Sequence, residues 1–417
     1  MTKHSRTDVR VPGLHAVEHR VAVPLDHADP DGEQITVFAR EVADPDGRDR
    51  PFLVYLQGGP GQEAPRPTRG PTSPAWLDRA LRDYRVLMLD QRGTGLSSPV
   101  GTLPGLMPGE QADRLTHFRA DAIVADAELV REALEVDRWS LLGQSFGGFC
   151  ALRYLCVAPD SVREALFTGG LPPVGRPIDD VYAATYATML ERNRRYFRRY
   201  PADRDRLRRL HDLADAGGLR LPSCDAMTSR RLRTIGNALG MSDGAEHVHY
   251  LLERDPSSPA FVHDLAAALP FNGRNPLYVA VHEASYADGG ATRWSAARMM
   301  PDELREDVTL FTGEQVFPWL CEDDSGLAPL RAAIDLLAEH EWPRLYDEQA
   351  LGSLDVPCAA AVYAEDPYVD RELSLETARL VPSMQAWVTN EYEHNGLRAD
   401  GARILDRLIG LARGTAA

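Results

Sequence analysis

The string Gly143-Gln144-Ser145-Phe146-Gly147-Gly148 constrains this chain more than any other. It follows a short apolar run, Trp139-Ser140-Leu141-Leu142, and opens a stretch that runs to Cys156 with apolar residues at helical spacing. A G-x-S-x-G pattern between a strand and a helix requires a turn so sharp that side chains at its flanking positions collide, which is why glycines stand there. The turn holds the serine in strained backbone and aims its hydroxyl outward at the helix N-terminus. There the amide of Phe146 can donate to an oxyanion. The same letters without that setting are only a glycine-rich helix start, so the strand before and the helix after are what point to a nucleophile.

The rest of the chain supplies the matching scaffold. Two alternating segments, His19–Pro24 and Gln34–Val42, are separated by turn formers and read as a hairpin or meander. Apolar strand-like runs follow at Phe52–Leu56, Tyr84–Leu89 and Ala165–Thr168, with helical spacing between Asp121 and Leu134. Strands alternating with helices predict an α/β fold, a mostly parallel sheet with helices on both faces. The alternation stops near Leu171-Pro172-Pro173, and the pattern is then mostly helical and charged to about Tyr346. Strand-like segments return at Cys358–Tyr363 and Gln385–Thr389, before a final helix at about 402–411. The expected organisation is a core in two parts, 1–171 and 347–417, interrupted by a helical cap at 172–346.

A serine nucleophile needs a second oxyanion donor, a base and an acid that orients the base. The loop Gln57-Gly58-Gly59-Pro60-Gly61 ends a strand and offers backbone N–H groups, that of Gly59 above all, able to approach a carbonyl closely. Of twelve histidines only His394 lies beyond the last expected strand, in Tyr392-Glu393-His394-Asn395-Gly396. That loop is where the base must hang in this order of elements. The acid belongs after the preceding strand, where Glu365, Asp366 and Asp370 all stand; position favours Asp366 without excluding its neighbours.

Composition narrows the function classes. The net charge of −16 argues against a nucleic-acid partner, which needs a concentrated basic surface. No apolar run approaches the ~20 residues that span a bilayer, so no membrane association is expected. The polar start, Met1-Thr2-Lys3-His4-Ser5-Arg6, lacks a signal-peptide apolar stretch, and the five cysteines include no CxxC pair, so a reduced cytoplasmic protein is expected. His247-Val248-His249 lacks a third ligand at suitable spacing; no metal and no cofactor are expected.

Taken together, Gly58-Gly59-Pro60-Gly61, Asp90-Gln91-Arg92-Gly93-Thr94-Gly95-Leu96-Ser97, the Ser145 turn and Glu393-His394-Asn395-Gly396 resemble the prolyl aminopeptidases, or proline iminopeptidases, of the α/β-hydrolase superfamily. The longer bacterial branch also resembles His282-Glu283-Ala284-Ser285-Tyr286 and Gly313-Glu314-Gln315-Val316-Phe317-Pro318-Trp319. Many relatives carry His where this chain has Gln57, a change that touches loop support more than the donor. The resemblance implies an α/β-hydrolase core with a helical cap, the triad Ser145, Asp366 and His394, and a peptide substrate with a free N-terminal proline. Such an enzyme must hold the substrate's free ammonium, which calls for carboxylates near Ser145; Glu283, by analogy with the family, and Glu314 are the candidates. Compact, apolar proline calls for aromatic walls, for which Phe146, Tyr286, Phe317 and Trp319 are the candidates. A triad by itself cuts esters and amides alike. An esterase, a tripeptidyl peptidase or a binding protein on the same scaffold are therefore the competing expectations.

Overall fold

The structure is a computed structural model and describes residues 3–416; the first two residues of the polar start lie outside it. Nine strands form one sheet: β1 His4–Val11, β2 Leu14–Pro24, β3 Gln34–Ala43, β4 Phe52–Leu56, β5 Arg85–Asp90, β6 Trp139–Gln144, β7 Val162–Thr168, β8 Cys358–Tyr363 and β9 Met384–Thr389. Their order is β1-β2-β3-β5-β4-β6-β7-β8-β9. The first three strands are antiparallel and β3 meets β5 antiparallel; every pairing from β5 through β4 and β6 to β9 is parallel. β1 was not among the expected strands. It is an edge strand with mostly exposed side chains, so it carries no buried face to mark it.

The central strands are apolar on both faces because both faces are covered. Along β4, Val54 and Leu56 join one apolar cluster while Leu53 and Tyr55 join the other. This is the two-residue period of a strand read against two layers. The helix Ala120–Ala133 and the helix Phe146–Val157 pack into the first cluster; Ile404, Leu405, Leu408 and Ile409 of the helix Gly401–Ala412 fill the second.

Between β7 and β8 the described elements are helices, from Ile178–Arg199 to Glu348–Gly352. Part of this stretch has an apolar cluster of its own, around Tyr196, Leu207, Ile235, Phe261 and Phe311. The helix Pro276–Tyr286 does not: Leu277, Val279 and Val281 share the cluster that covers the sheet. No helix among the described residues is long and apolar enough to cross a membrane.

The sheet order has a functional consequence. β4 lies between β5 and β6, so the chain leaves β4 toward one side and returns across it to build the other. Open parallel sheets carry their sites at the carboxyl ends of strands beside such a reversal.

Candidate active site

Each candidate catalytic residue follows the C-terminal end of a parallel strand. Ser145 follows β6 with φ 53° and ψ −126°, a left-handed conformation that a non-glycine residue adopts only under constraint. The constraint is close packing of the turn. A Cβ on Gly147 would lie 1.9 Å from the Leu56 carbonyl oxygen, and one on Gly148 2.2 Å from that of Gly170. The Ser145 N–H donates to the Thr168 carbonyl at 3.0 Å, tying the turn to the end of β7.

The loop after β4 presses against this turn. A Cβ on Gly58 would lie 2.8 Å from that of Ser145, and Gly59 adopts φ 126°. The departure at Gln57 is accommodated by its neighbours: Tyr55 Oη donates to Gln57 Oε1 at 2.8 Å, and Gln91 Nε2 donates to the Gln57 carbonyl at 3.0 Å. The D-Q-R-G segment thus braces the glycine loop. Its Asp90 is held by Arg66 at 2.9 and 2.7 Å, while Arg92 is buried against Asp126, with Nε donating at 2.7 Å. Arg92 also donates to the carbonyls of Pro24, Leu25 and His117. It therefore ties loops together.

The three acids after β8 separate cleanly. Glu365 pairs with Arg195 on the helix Ile178–Arg199, and Asp370 caps the helix Arg371–Leu380, accepting from the N–H groups of Glu372 and Leu373. Asp366 is buried, and its Oδ2 lies 2.6 Å from His394 Nδ1. Its other oxygen accepts from the N–H groups of Tyr368 and Val369 at 2.9 and 3.1 Å, which fixes the carboxylate in plane. The base loop is pinned in turn: the His394 N–H donates to the Gly240 carbonyl at 3.1 Å, and Glu393 pairs with Arg192, which also donates to the Glu365 carbonyl. Burial opposes charge on His394. The charge and hydrogen bond of Asp366, with the charge of Glu314, outweigh it and raise the imidazole above its ordinary 6.5.

Ser145 and His394 line one cavity of about 490 Å³, with Gly58, Gly59, Tyr278, Glu314 and Tyr368. With Nδ1 bound to Asp366, Nε2 is the imidazole nitrogen left for the serine. Among the described residues no hydrogen bond joins Ser145 Oγ to His394. Nucleophile–base bonds are commonly long before substrate is bound and tighten with it.

The two amine-binding candidates part company. Glu314 lines the cavity: Tyr278 Oη donates to Oε1, and His282 Nε2 stands 3.6 Å from Oε2. Burial would raise its carboxyl, but the hydrogen bond and charge of His282, the charge of His394 and the Tyr278 hydroxyl hold it below its ordinary value, hence ionised. Glu283 does not line the cavity. Its carboxylate accepts from the N–H groups of Ser295 and Ala296 at 3.2 and 2.8 Å, at the start of the short helix Ser295–Arg298. On the helix Pro276–Tyr286, positions 278, 282 and 286 face Glu314 and its surroundings, and position 283 turns away by one residue.

The aromatic candidates are corrected likewise. Phe317 is buried and stacks on Trp319 at 5.1 Å, with Arg230 over the Trp319 ring; neither lines the cavity. Tyr286 lines a small adjoining void with Glu314 and Tyr368, and donates to the Tyr368 carbonyl at 3.1 Å. The aromatic residues that line the cavity are Tyr278, Tyr368, Tyr55 and Trp76, none of which sequence reasoning had placed there. A signal existed for the first: Tyr278, His282 and Tyr286 recur every four residues, one stripe on a helix, with successive rings 5.5 and 5.7 Å apart.

The chain is similar to known proteins over most of its length. A model of the alpha/beta hydrolase fold matches residues 51–219. A proline iminopeptidase of Aeromonas sobria is 47% identical over 418 residues, covering 96% of this chain and 97% of its own length. A proline iminopeptidase of Aspergillus aculeatus is 33% identical over 420 residues, covering 94% and 93%. Among solved structures, a serine hydrolase from Cycloclasticus zankles aligns over 97% of this chain and 96% of its own, with 14% identity and a TM-score of 0.40.

Proposed function

The chain belongs to the proline iminopeptidase family, within the α/β hydrolases, and from that premise we propose that it releases N-terminal proline from peptides with Ser145 as nucleophile. The observation that carries this reading is the meeting of Ser145, His394 and an ionised Glu314 on one cavity.

Substrate enters with its proline amine against Glu314 and its ring between Tyr278 and Tyr368. His394 Nε2 takes the Ser145 hydroxyl proton as Oγ attacks the scissile carbonyl, and Asp366 stabilises the imidazolium and fixes its tautomer. The oxyanion accepts from the N–H groups of Phe146 and Gly59; each such donor is worth about 100- to 1,000-fold in rate. The C–N bond breaks, the departing amine takes the proton from His394, and a prolyl ester remains on Ser145. Water, deprotonated by His394, then attacks that ester, and free proline leaves as Oγ regains its proton.

In this reading residues 172–346 form the cap. The cap supplies Tyr278 and Glu314, so free-amine selectivity comes from the cap and bond cleavage from the core. The five cysteines are all free thiols, which suits a reducing cytoplasmic location.

The test compares proline arylamide, its N-acetyl form and a simple aryl ester, with Ser145→Ala as the blank. Turnover of the free arylamide alone is expected. Equal turnover of the N-acetyl compound would overturn the aminopeptidase reading in favour of an esterase-like or endo-acting hydrolase.

A further inference from the structure

We propose that Arg398 binds the C-terminal carboxylate of a short peptide, so that the cavity selects di- and tripeptides by holding both of their charged ends. This rests on the function proposed above.

Among the described residues the cavity lining has three Asp, Glu, His, Lys or Arg side chains: Glu314, His394 and Arg398. His394 is committed to Asp366. What remains is one carboxylate and one guanidinium, and they come from different parts of the fold. Glu314 belongs to the helical stretch between β7 and β8; Arg398 belongs to the short helix Gly396–Ala399, just past the base. Arg398 is exposed while lining the cavity, which puts it at the opening, whereas the Glu314 side chain is only 11% exposed and lies deeper.

Arginines around the site are otherwise engaged. Arg66 is held by Asp90, Arg92 by Asp126 and Arg192 by Glu393. Among the described residues the Arg398 guanidinium has no carboxylate, carbonyl or hydroxyl partner. In a chain of net charge −16, an unpaired guanidinium lining the same cavity as Ser145 is a local exception. Its fork of donors matches a carboxylate better than any neutral group.

A zwitterionic peptide is complementary to this pair of charges. With the amine at Glu314 and the first carbonyl at Ser145, the carboxylate of a di- or tripeptide lies only one or two residues further, at most ~3.6 Å per residue. A longer peptide carries its carboxylate out past the opening and gains nothing from Arg398.

The experiment measures kcat/KM for Pro-Gly, Pro-Gly-Gly, Pro-Gly amide and proline arylamide with the wild type, Arg398→Gln and Arg398→Lys. The wild type is expected to prefer Pro-Gly over its amide by about fivefold, as befits a partly exposed ion pair. That preference should shrink as salt is raised. In R398Q the ratio should fall to about one, and R398K should restore part of it. Using the ratio removes any general effect of Arg398 on the nearby imidazole. A wild-type ratio of one, or an equal ratio in wild type and R398Q, overturns the inference while leaving arylamide turnover, and so the aminopeptidase reading, intact. Failure to release proline from all four substrates removes both.

Discussion

The ring of Tyr368 stands edge-on to His394, with centroids 4.8 Å apart and planes at 87°, while its backbone N–H donates to the carboxylate that orients the same imidazole. One residue thus wedges the proposed base and holds the proposed acid. The wedge is itself anchored, because the Tyr368 hydroxyl donates to the Asn237 carbonyl from the helical stretch between β7 and β8. Removing the ring while keeping the backbone N–H separates the two roles. Tyr368→Ala is expected to lower kcat by about 10- to 100-fold, since a small misplacement of a catalytic group costs on that order. It should also lower stability by about 3–5 kcal/mol, as for other buried aromatics. Tyr368→Phe should keep most of the rate. Steady-state kinetics and thermal melts of both variants check this; equal losses in the two would assign the effect to the hydroxyl.

Glu314 and His394 are coupled by charge across the cavity, which gives activity a predictable pH signature. The imidazole must be neutral to accept the serine proton, so kcat/KM falls as pH drops through the raised His394 value, above 6.5. Glu314 is one of the influences that raise it. Glu314→Gln should therefore shift the acid limb to lower pH. It should also reduce kcat/KM for proline arylamide by about 30-fold or more, the cost of leaving the substrate ammonium without its buried partner. A full pH profile separates the two effects. An unshifted limb would mean that Glu314 and the base do not sense each other.

Glu283 tests the correction made within the helical stretch. Burial, opposed by Ala296, Thr292, His282 and Ser295, raises its carboxyl from 4.5 to about 6. Between those values the folded state retains a proton that the unfolded chain has released. Stability contributed by this group is therefore full below 4.5, falls by about 2 kcal/mol as pH rises to about 6, and is flat above. Glu283→Gln removes that slope. It also places an amide N–H₂ against one of two backbone donors, costing about 1–3 kcal/mol. Denaturant unfolding from pH 4 to 7 measures both. The variant should keep its KM for proline arylamide near the wild-type value; a large rise in KM would return Glu283 to the role of amine ligand.

The Ser145 turn and the place of His394 were legible because each is fixed by local chain geometry and order. Only glycine fits where a side chain would strike Leu56 or Gly170, and only one histidine follows the last strand. The edge strand β1 was not legible, since a strand exposed on both faces leaves no alternation to read. Tyr278 and Tyr368 escaped notice for a different reason. An aromatic residue that walls a cavity and one that fills a core look alike in sequence.

What the sequence by itself determined was therefore the scaffold and the tight turn that holds the proposed nucleophile, through backbone sterics and the periodicity of apolar residues. Only the tertiary structure sets Asp366 apart from Glu365 and Asp370, and Glu314 apart from Glu283. All five are carboxylates in plausible positions. Their roles differ because folding delivered an arginine to Glu365, helix N–H groups to Asp370 and Glu283, an imidazole to Asp366, and an open cavity to Glu314. A carboxylate's chemistry is set by the partners that folding brings to it, and for Glu365, Asp366 and Glu283 those come from other parts of the chain.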